Sequence, residues 1–118
     1  MADASPSTEC LFCRIAAGEV PATLVRETER VVAFRDIDPK APTHVLVVPR
    51  AHHAAVADLA AADSQSLAEL ATEAAGVAAD DGHDDFRLVF NTGAGAGQSV
   101  FHVHAHVLAG RSLSWPPG

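Results

Sequence analysis

The sequence predicts an α+β domain, an antiparallel sheet of about five strands packed with one long and one short helix. Three observations lead there. Short runs rich in Val, Ile and Phe, bounded by Pro, Gly or Asp, read as strands. One alanine-rich stretch in the middle repeats apolar residues at helical spacing. The 118 residues contain no internal repeat and no long linker, which leaves room for a single domain over 1–118.

Taken in order, residues 1–9 are small and polar and are expected to fray. Leu11, Phe12 and Ile15 have the spacing of a short helix, with Gly18 as its stop. Pro21 forces an extended start, so Ala22–Glu27 and Arg30–Asp36 read as two strands around a short turn. Asp38-Pro39-Lys40-Ala41-Pro42 is a loop, because two prolines suit neither helix nor central strand. His44–Val48 is mostly apolar and ends at Pro49, the pattern of a buried strand. From an Asp63 N-cap, Leu67, Leu70, Ala71, Ala74, Val77 and Ala78 mark the long helix, which Asp80-Asp81-Gly82 ends. Phe86–Asn91 is a strand, Thr92–Gln98 a glycine-rich loop and Ser99–Leu108 the last strand. Residues 109–118 form a tail that closes on Trp115-Pro116-Pro117-Gly118.

Eight Lys+Arg against fifteen Asp+Glu give a formal net charge of -7. That balance argues against nucleic acid and anionic membrane as partners, since both require an excess of cation. A small anionic ligand remains compatible, because backbone N–H groups, hydroxyls and imidazoles hold anions locally. The N-terminus lacks the basic start and apolar run of a secretory signal, and no apolar run approaches a membrane span. The two cysteines, Cys10 and Cys13, share one C-x-x-C. A cytoplasmic protein with reduced or metal-bound cysteines is therefore expected.

Seven histidines are many for this length, and three alternate as His102-Val103-His104-Ala105-His106. In a strand, residues i, i+2 and i+4 share one face, so the imidazoles point one way and Val103, Ala105 and Val107 face a core. Just upstream, the glycines of Gly93-Ala94-Gly95-Ala96-Gly97 let backbone N–H groups approach a phosphate, and Ser99 adds a hydroxyl. Spacing alone leaves two chemistries level: metal binding by the row, and nucleotidyl transfer. The remaining His53 and His83 suggest no function and read as surface residues.

The stretch Gln98-Ser99-Val100-Phe101-His102-Val103-His104-Ala105-His106-Val107-Leu108 resembles the signature of the histidine triad (HIT) superfamily, His-x-His-x-His-x-x with x apolar. Phe34-Arg35-Asp36-Ile37, Ala41-Pro42-Thr43-His44, Asn91 and Trp115-Pro116-Pro117-Gly118 extend the resemblance to its Hint branch. The resemblance implies a HIT-like fold and a hydrolase of the purine nucleoside phosphoramidase kind, cleaving a P–N bond through a nucleotidyl group on His104. It assigns His106 and His44 to the phosphate oxygens or the leaving amine, and His102 to orienting His104. Gln98, Ser99 and Asn91 fall on the phosphate side and Asp36 at the ribose hydroxyls. Leu11, Phe12, Ile15, Phe34 and Ile37 fall at the base. Without the resemblance, Phe34 and Ile37 read as core, Asp36 as a turn former, His44 as a core histidine and Asn91 as a loop cap. It further implies a homodimer in which Trp115 reaches toward the partner's site and influences the leaving group. Ala105 and the apolar Ala94-Gly95-Ala96 depart from the usual pattern. Two rival readings are a zinc hydrolase that uses the histidine row as ligands, and a non-catalytic purine-nucleotide-binding module.

The C-x-x-C lacks the preceding strand of a thioredoxin-like site, and a cytoplasmic disulfide is disfavoured. Zinc needs two further ligands. By resemblance to bacterial HIT relatives these are His52, in Pro49-Arg50-Ala51-His52, and His102. The set Cys10, Cys13, His52 and His102 is four-coordinate and closed, so its zinc is structural and catalysis needs no cofactor. The alternative is a pair of buried cysteines without metal.

Overall fold

The computed structural model describes residues 9–118, so the expected fraying of the N-terminus falls, but for Glu9, outside the described residues. Five strands and three α-helices follow the chain order α1 (Leu11–Ala16), β1 (Leu24–Glu27), β2 (Val31–Arg35), β3 (Thr43–Pro49), α2 (Val56–Ala62), α3 (Ser64–Asp80), β4 (Arg87–Phe90) and β5 (Ala105–Ala109). The strands form one antiparallel sheet in the order β1-β2-β3-β5-β4. The α+β architecture read from the sequence is the one observed.

Alternation along the strands sorts side chains to two faces. Val31 and Ala33 of β2, Val45 and Val47 of β3, and Ala105 and Val107 of β5 pack with Leu59 of α2 and with Leu70, Ala74, Val77 and Ala78 of α3. Val32, Phe34, Leu46 and Val48 face the other way, against Phe12 and Ile15 of α1. Every residue of β3 is therefore buried. The long and the short helix expected from the sequence are both present: α3 lies on one face of the sheet, and the short α1 covers part of the other.

Three local differences from the expectation have physical causes. Helix α2 was not anticipated, since its N-cap, Ala55, has no side-chain acceptor. Asp58 supplies the missing signal, accepting the Ala55 N–H at 3.2 Å. Second, the last strand starts at Ala105 rather than Ser99. Val103 N–H is taken by the His53 carbonyl at 2.7 Å, and the Pro49 carbonyl by the His102 ring at 2.7 Å, so no ladder extends there. Third, His53 is buried and His83 is partly buried, so neither is a free surface residue.

His83 belongs to a network that ties the end of α3 to the sheet. Its Nε2 lies 2.9 Å from Thr43 Oγ1, which donates to Asp81 at 2.7 Å. Arg35 at the end of β2 grips both oxygens of Asp81, at 2.6 and 3.0 Å. These bonds from Arg35 and Thr43 hold the Asp81 carboxyl down at about 2. The Asp63 N-cap was legible: its carboxylate accepts the Ser66 N–H at 3.1 Å.

Candidate functional site

Because Ala105 and Val107 face α3, His104, His106 and Leu108 must face the side of α1. Helix α1 covers only part of that face, and a cleft of about 740 Å³ remains beside it. Phe12, Ile15, Phe34 and Leu46 form its apolar wall, and Asp36, Ser99, His104 and His106 its polar end. Leu11 and Ile37 stand on the rim, Ile37 fully exposed, so the core reading of Ile37 is wrong. Val20, Pro21, Ala22 and Thr23 also line it, and nothing in their sequence pattern marks them out. A second cleft of about 470 Å³ shares Asp36 and His106 with the first. It is lined further by His44, Asn91, Lys40, Arg87, Arg111 and the tail residues Pro116 and Pro117. Arg87 fastens that tail by donating to the carbonyls of Leu113 and Ser114.

Hydrogen bonds fix which nitrogen of each imidazole carries the proton. His104 Nδ1 lies 2.8 Å from the His102 carbonyl, which only accepts, so Nδ1 is protonated and Nε2 holds the free lone pair in the neutral ring. The ring is buried, edge-on to Phe12 at 5.0 Å and to His106 at 5.0 Å. For His44, Lys40 N–H donates to Nδ1 at 3.0 Å, so Nε2 carries the proton. That proton points at His106 Nδ1, 2.9 Å away. His106 is thereby left with its own proton on Nε2. Burial lowers the pKa of His44, and lowers that of His106 to about 4 with help from His104 and His44. Both rings are thus neutral donors at neutral pH.

The carboxylate of Asp36 divides its work. One oxygen accepts the Asp38 N–H at 2.8 Å, the turn-forming role its position suggested. The other lies 3.4 Å from His44 Nε2 at the junction of the two clefts. Gln98 is buried and spends its amide on the chain: Oε1 accepts from Gly93 N–H, and Nε2 donates to the carbonyls of Ala54 and Val100. It holds the glycine-rich loop rather than facing a cleft. Ser99, next to it, is exposed at the cleft. Trp115 is 81% exposed and lines neither cleft of this chain.

Two groups of side chains have metal-ligand character among the described residues. In the first, His102 Nδ1 lies 3.3 Å from Cys10 Sγ and 3.4 Å from Cys13 Sγ, and His52 Nδ1 lies 3.4 Å from Cys13 Sγ. His102 Nε2–H donates to the Pro49 carbonyl, which turns an unprotonated Nδ1 toward the sulfurs. Ligand spacing and tautomer both suit a tetrahedral zinc ion, and the carbonyl is the outer partner such histidines use. The second group, Asp36, His44 and His106, fails the same test. His44 Nε2 carries a proton because Lys40 occupies Nδ1, and His106 Nδ1 is already accepting it. Nor do the three histidines of the row converge: their Nδ1 atoms face two sulfurs, a carbonyl and another imidazole.

Residues 17–113 match the HIT domain. This chain belongs to the HIT family. It is 41% identical over 107 residues to the purine nucleoside phosphoramidase of Escherichia coli, covering 89% of this chain and 90% of that protein. It is also 42% identical over 120 residues to the 14 kDa zinc-binding protein of Zea mays, covering 98% and 91%. A solved HIT family hydrolase from Legionella pneumophila superposes with a TM-score of 0.88 at 49% identity, over 92% of this chain and 99% of that one. The sheet and helices described above are thus the HIT fold.

Proposed function

We propose that this HIT protein is a hydrolase of purine nucleoside phosphoramidates, acting in the cytoplasm through a covalent nucleotidyl-histidine on His104. The observation that carries the reading is the orientation of His104, whose Nδ1–H is tied to the His102 carbonyl so that an Nε2 lone pair is left for a phosphorus atom. The Escherichia coli relative named as a purine nucleoside phosphoramidase supports the substrate class.

In the first step Nε2 of His104 bonds to the α-phosphorus as the P–N bond breaks, and the amine leaves with a proton from solvent. In the second, water attacks phosphorus, the P–N bond to His104 breaks, and the nucleoside monophosphate is released with the water's proton passed to solvent. Splitting the displacement lowers each barrier. His106 Nε2–H donates to a phosphate oxygen where charge develops, with Ser99 and Asn91 as further donors. His44 keeps His106 in that tautomer. A neutral ring held at its other nitrogen by a donor is a hydrogen-bond donor and a poor source of protons, so His106 stabilises charge and does not protonate the amine. The Asp36 oxygen on the side of His44 accepts the ribose hydroxyls, and Leu11, Phe12, Ile15, Phe34 and Ile37 enclose the base. Gln98 acts by holding the loop and does not touch the nucleotide.

Cys10, Cys13, His52 and His102 hold zinc, which when bound supplies a closed structural cross-link between α1, the loop after β3 and the histidine row. The protein acts as a homodimer through the open edge of β4, and Trp115, exposed on its own chain, meets the partner's site. The test is incubation with adenosine 5′-phosphoramidate. Release of AMP that survives removal of metal beyond the zinc site is expected. Nucleotide binding without any AMP release would leave a binding module, and release that rises in proportion to a metal bound at the histidine row and disappears on its removal would favour the zinc hydrolase.

A further inference from the structure

His102 joins two parts of the site that have been described separately. Its ring is fully buried and fixed at both nitrogens, by the Pro49 carbonyl at Nε2 and by the two cysteine sulfurs at Nδ1. Its main-chain carbonyl is the acceptor that holds Nδ1–H of His104. The cysteines flank the first turn of α1, a helix of six residues that is too short to be stable by its own hydrogen bonds. Between them sits Phe12, whose ring stands edge-on to both His102 at 6.0 Å and His104 at 5.0 Å.

We infer that His102 is a positioning residue through which the Cys10–Cys13–His52–His102 centre sets the tautomer and aim of His104, so that metal occupancy governs turnover more than nucleotide binding. This rests on the reading of His104 as nucleophile and of the four ligands as a zinc site. With metal bonds at Nδ1, the His102 ring and its peptide are pinned, and the carbonyl stays directed at His104. Without them, weak S–H···N contacts and the Pro49 bond restrain the ring, the peptide keeps only its Val103 N–H bond to the His53 carbonyl, which follows the loosened ligand His52, and α1 with Phe12 loses its anchor. A carbonyl held less firmly lets the His104 proton move from Nδ1 to Nε2. In that tautomer the lone pair sits on Nδ1, and Nε2 has none to offer phosphorus. Of the nucleotide's other contacts, Asp36, Ser99, Phe34, Ile37 and Leu46 lie on β2, its following turn, β3 and the loop before the row, none of which carries a metal ligand, whereas Leu11, Phe12 and Ile15 stand on α1 beside Cys13.

The experiment uses ¹⁵N-histidine-labelled full-length protein in three forms: zinc-loaded, chelated, and Cys10→Ser, which keeps three ligands. Ring ¹⁵N–¹H correlation spectra read the His104 tautomer at one fixed pH, and adenosine 5′-phosphoramidate hydrolysis gives kcat and KM. AMP affinity serves as the check on folding. The zinc-loaded protein is expected to show His104 protonated at Nδ1 alone. In the chelated and Cys10→Ser forms a mixed tautomer is expected, with kcat lowered by about 10- to 100-fold, the cost of a misplaced reacting group, and KM changed by less than about twofold. A chelated or Cys10→Ser protein that binds AMP, shows the zinc-loaded His104 spectrum and keeps its kcat overturns the inference. So does a protein that takes up no zinc. If chelated protein loses AMP affinity through unfolding, the Cys10→Ser comparison decides by itself. Zinc-loaded protein that hydrolyses no phosphoramidate refutes the functional reading alone, and the imidazole spectra still decide the coupling.

Discussion

His102, His104 and His106 are spaced two residues apart, yet their Nδ1 atoms meet thiols, a carbonyl and a second imidazole. Those partners leave one ring with an unprotonated nitrogen turned to the cysteine sulfurs, one with a lone pair on Nε2 and one with a donor at Nε2. The spacing and the common face were legible in the sequence. The tautomers were not, because the groups that set them, Lys40 N–H, His44 and the Pro49 carbonyl, lie 53 or more residues away from the row along the chain or act through backbone atoms. Replacing His104 by Ala is expected to lower kcat by at least about 10³-fold while AMP still binds, as for loss of a covalent nucleophile. Ser99→Ala is expected to cost about 10- to 1000-fold, the range of one lost oxyanion donor. Steady-state kinetics and AMP titration check both. The His106 ring signals should begin to titrate only as pH approaches about 4, well below the ordinary 6.5, and proton NMR of the imidazole C–H groups reads this directly. A midpoint near 6.5 would mean that the ring is not desolvated as described.

Among the elements, the strongly patterned ones were legible and the context-dependent ones were not. Helix α3 runs from the Asp63 cap as expected, since its apolar positions recur at helical spacing and its cap has a side-chain acceptor. Helix α2 has an alanine cap and one fully buried residue, Leu59, too weak a pattern to separate from a loop. Residues 99–104 alternate like a strand but pair with loop atoms, because β3 runs out at Pro49. Position 76 in α3 had no visible reason to be glycine. A Cβ there would stand 2.6 Å from the Arg26 guanidinium, which is bound to Glu73 and Asp80 of the same helix. Leu70→Ala, which empties a fully buried site between α3 and the sheet, is expected to destabilise by about 2–5 kcal/mol in urea unfolding. A loss under about 1 kcal/mol would contradict the packing of α3 on the sheet.

Across the whole molecule, acidity and stability meet at Asp81. Its folded pKa of about 2 lies below the ordinary 3.8, so unfolding takes up a proton as pH falls between them. The stability it provides is complete above about pH 4 and is lost as pH falls toward 2. Discounted for its partial exposure, that contribution is about 1 kcal/mol. Asp81→Asn should therefore unfold at lower urea than wild type at pH 7, with the gap narrowing at pH 3; a gap that does not change with pH would remove the Arg35–Asp81 pair as its cause. The net charge of -7 bears on partners at this same scale by disfavouring polyanions, while the main cleft itself brings the hydroxyl of Ser99 and the imidazoles of His104 and His106 beside Arg35 and Asp36. Assembly is the other property of the whole molecule. Light scattering at micromolar concentration should give twice the chain mass, and a single-chain mass would remove the dimer and with it the role of Trp115.

A phosphorus–nitrogen bond between the nucleotide and His104, the core of the proposed reaction, has a direct observable. Wild-type protein mixed with adenosine 5′-phosphoramidate, quenched within the first turnover and weighed intact, should carry one adenylyl group that peptide mapping places on His104. His104→Ala should carry none and release no AMP. Prompt AMP release by wild type with no adduct at any quench time, or AMP release by His104→Ala at the wild-type rate, would contradict covalent catalysis by His104.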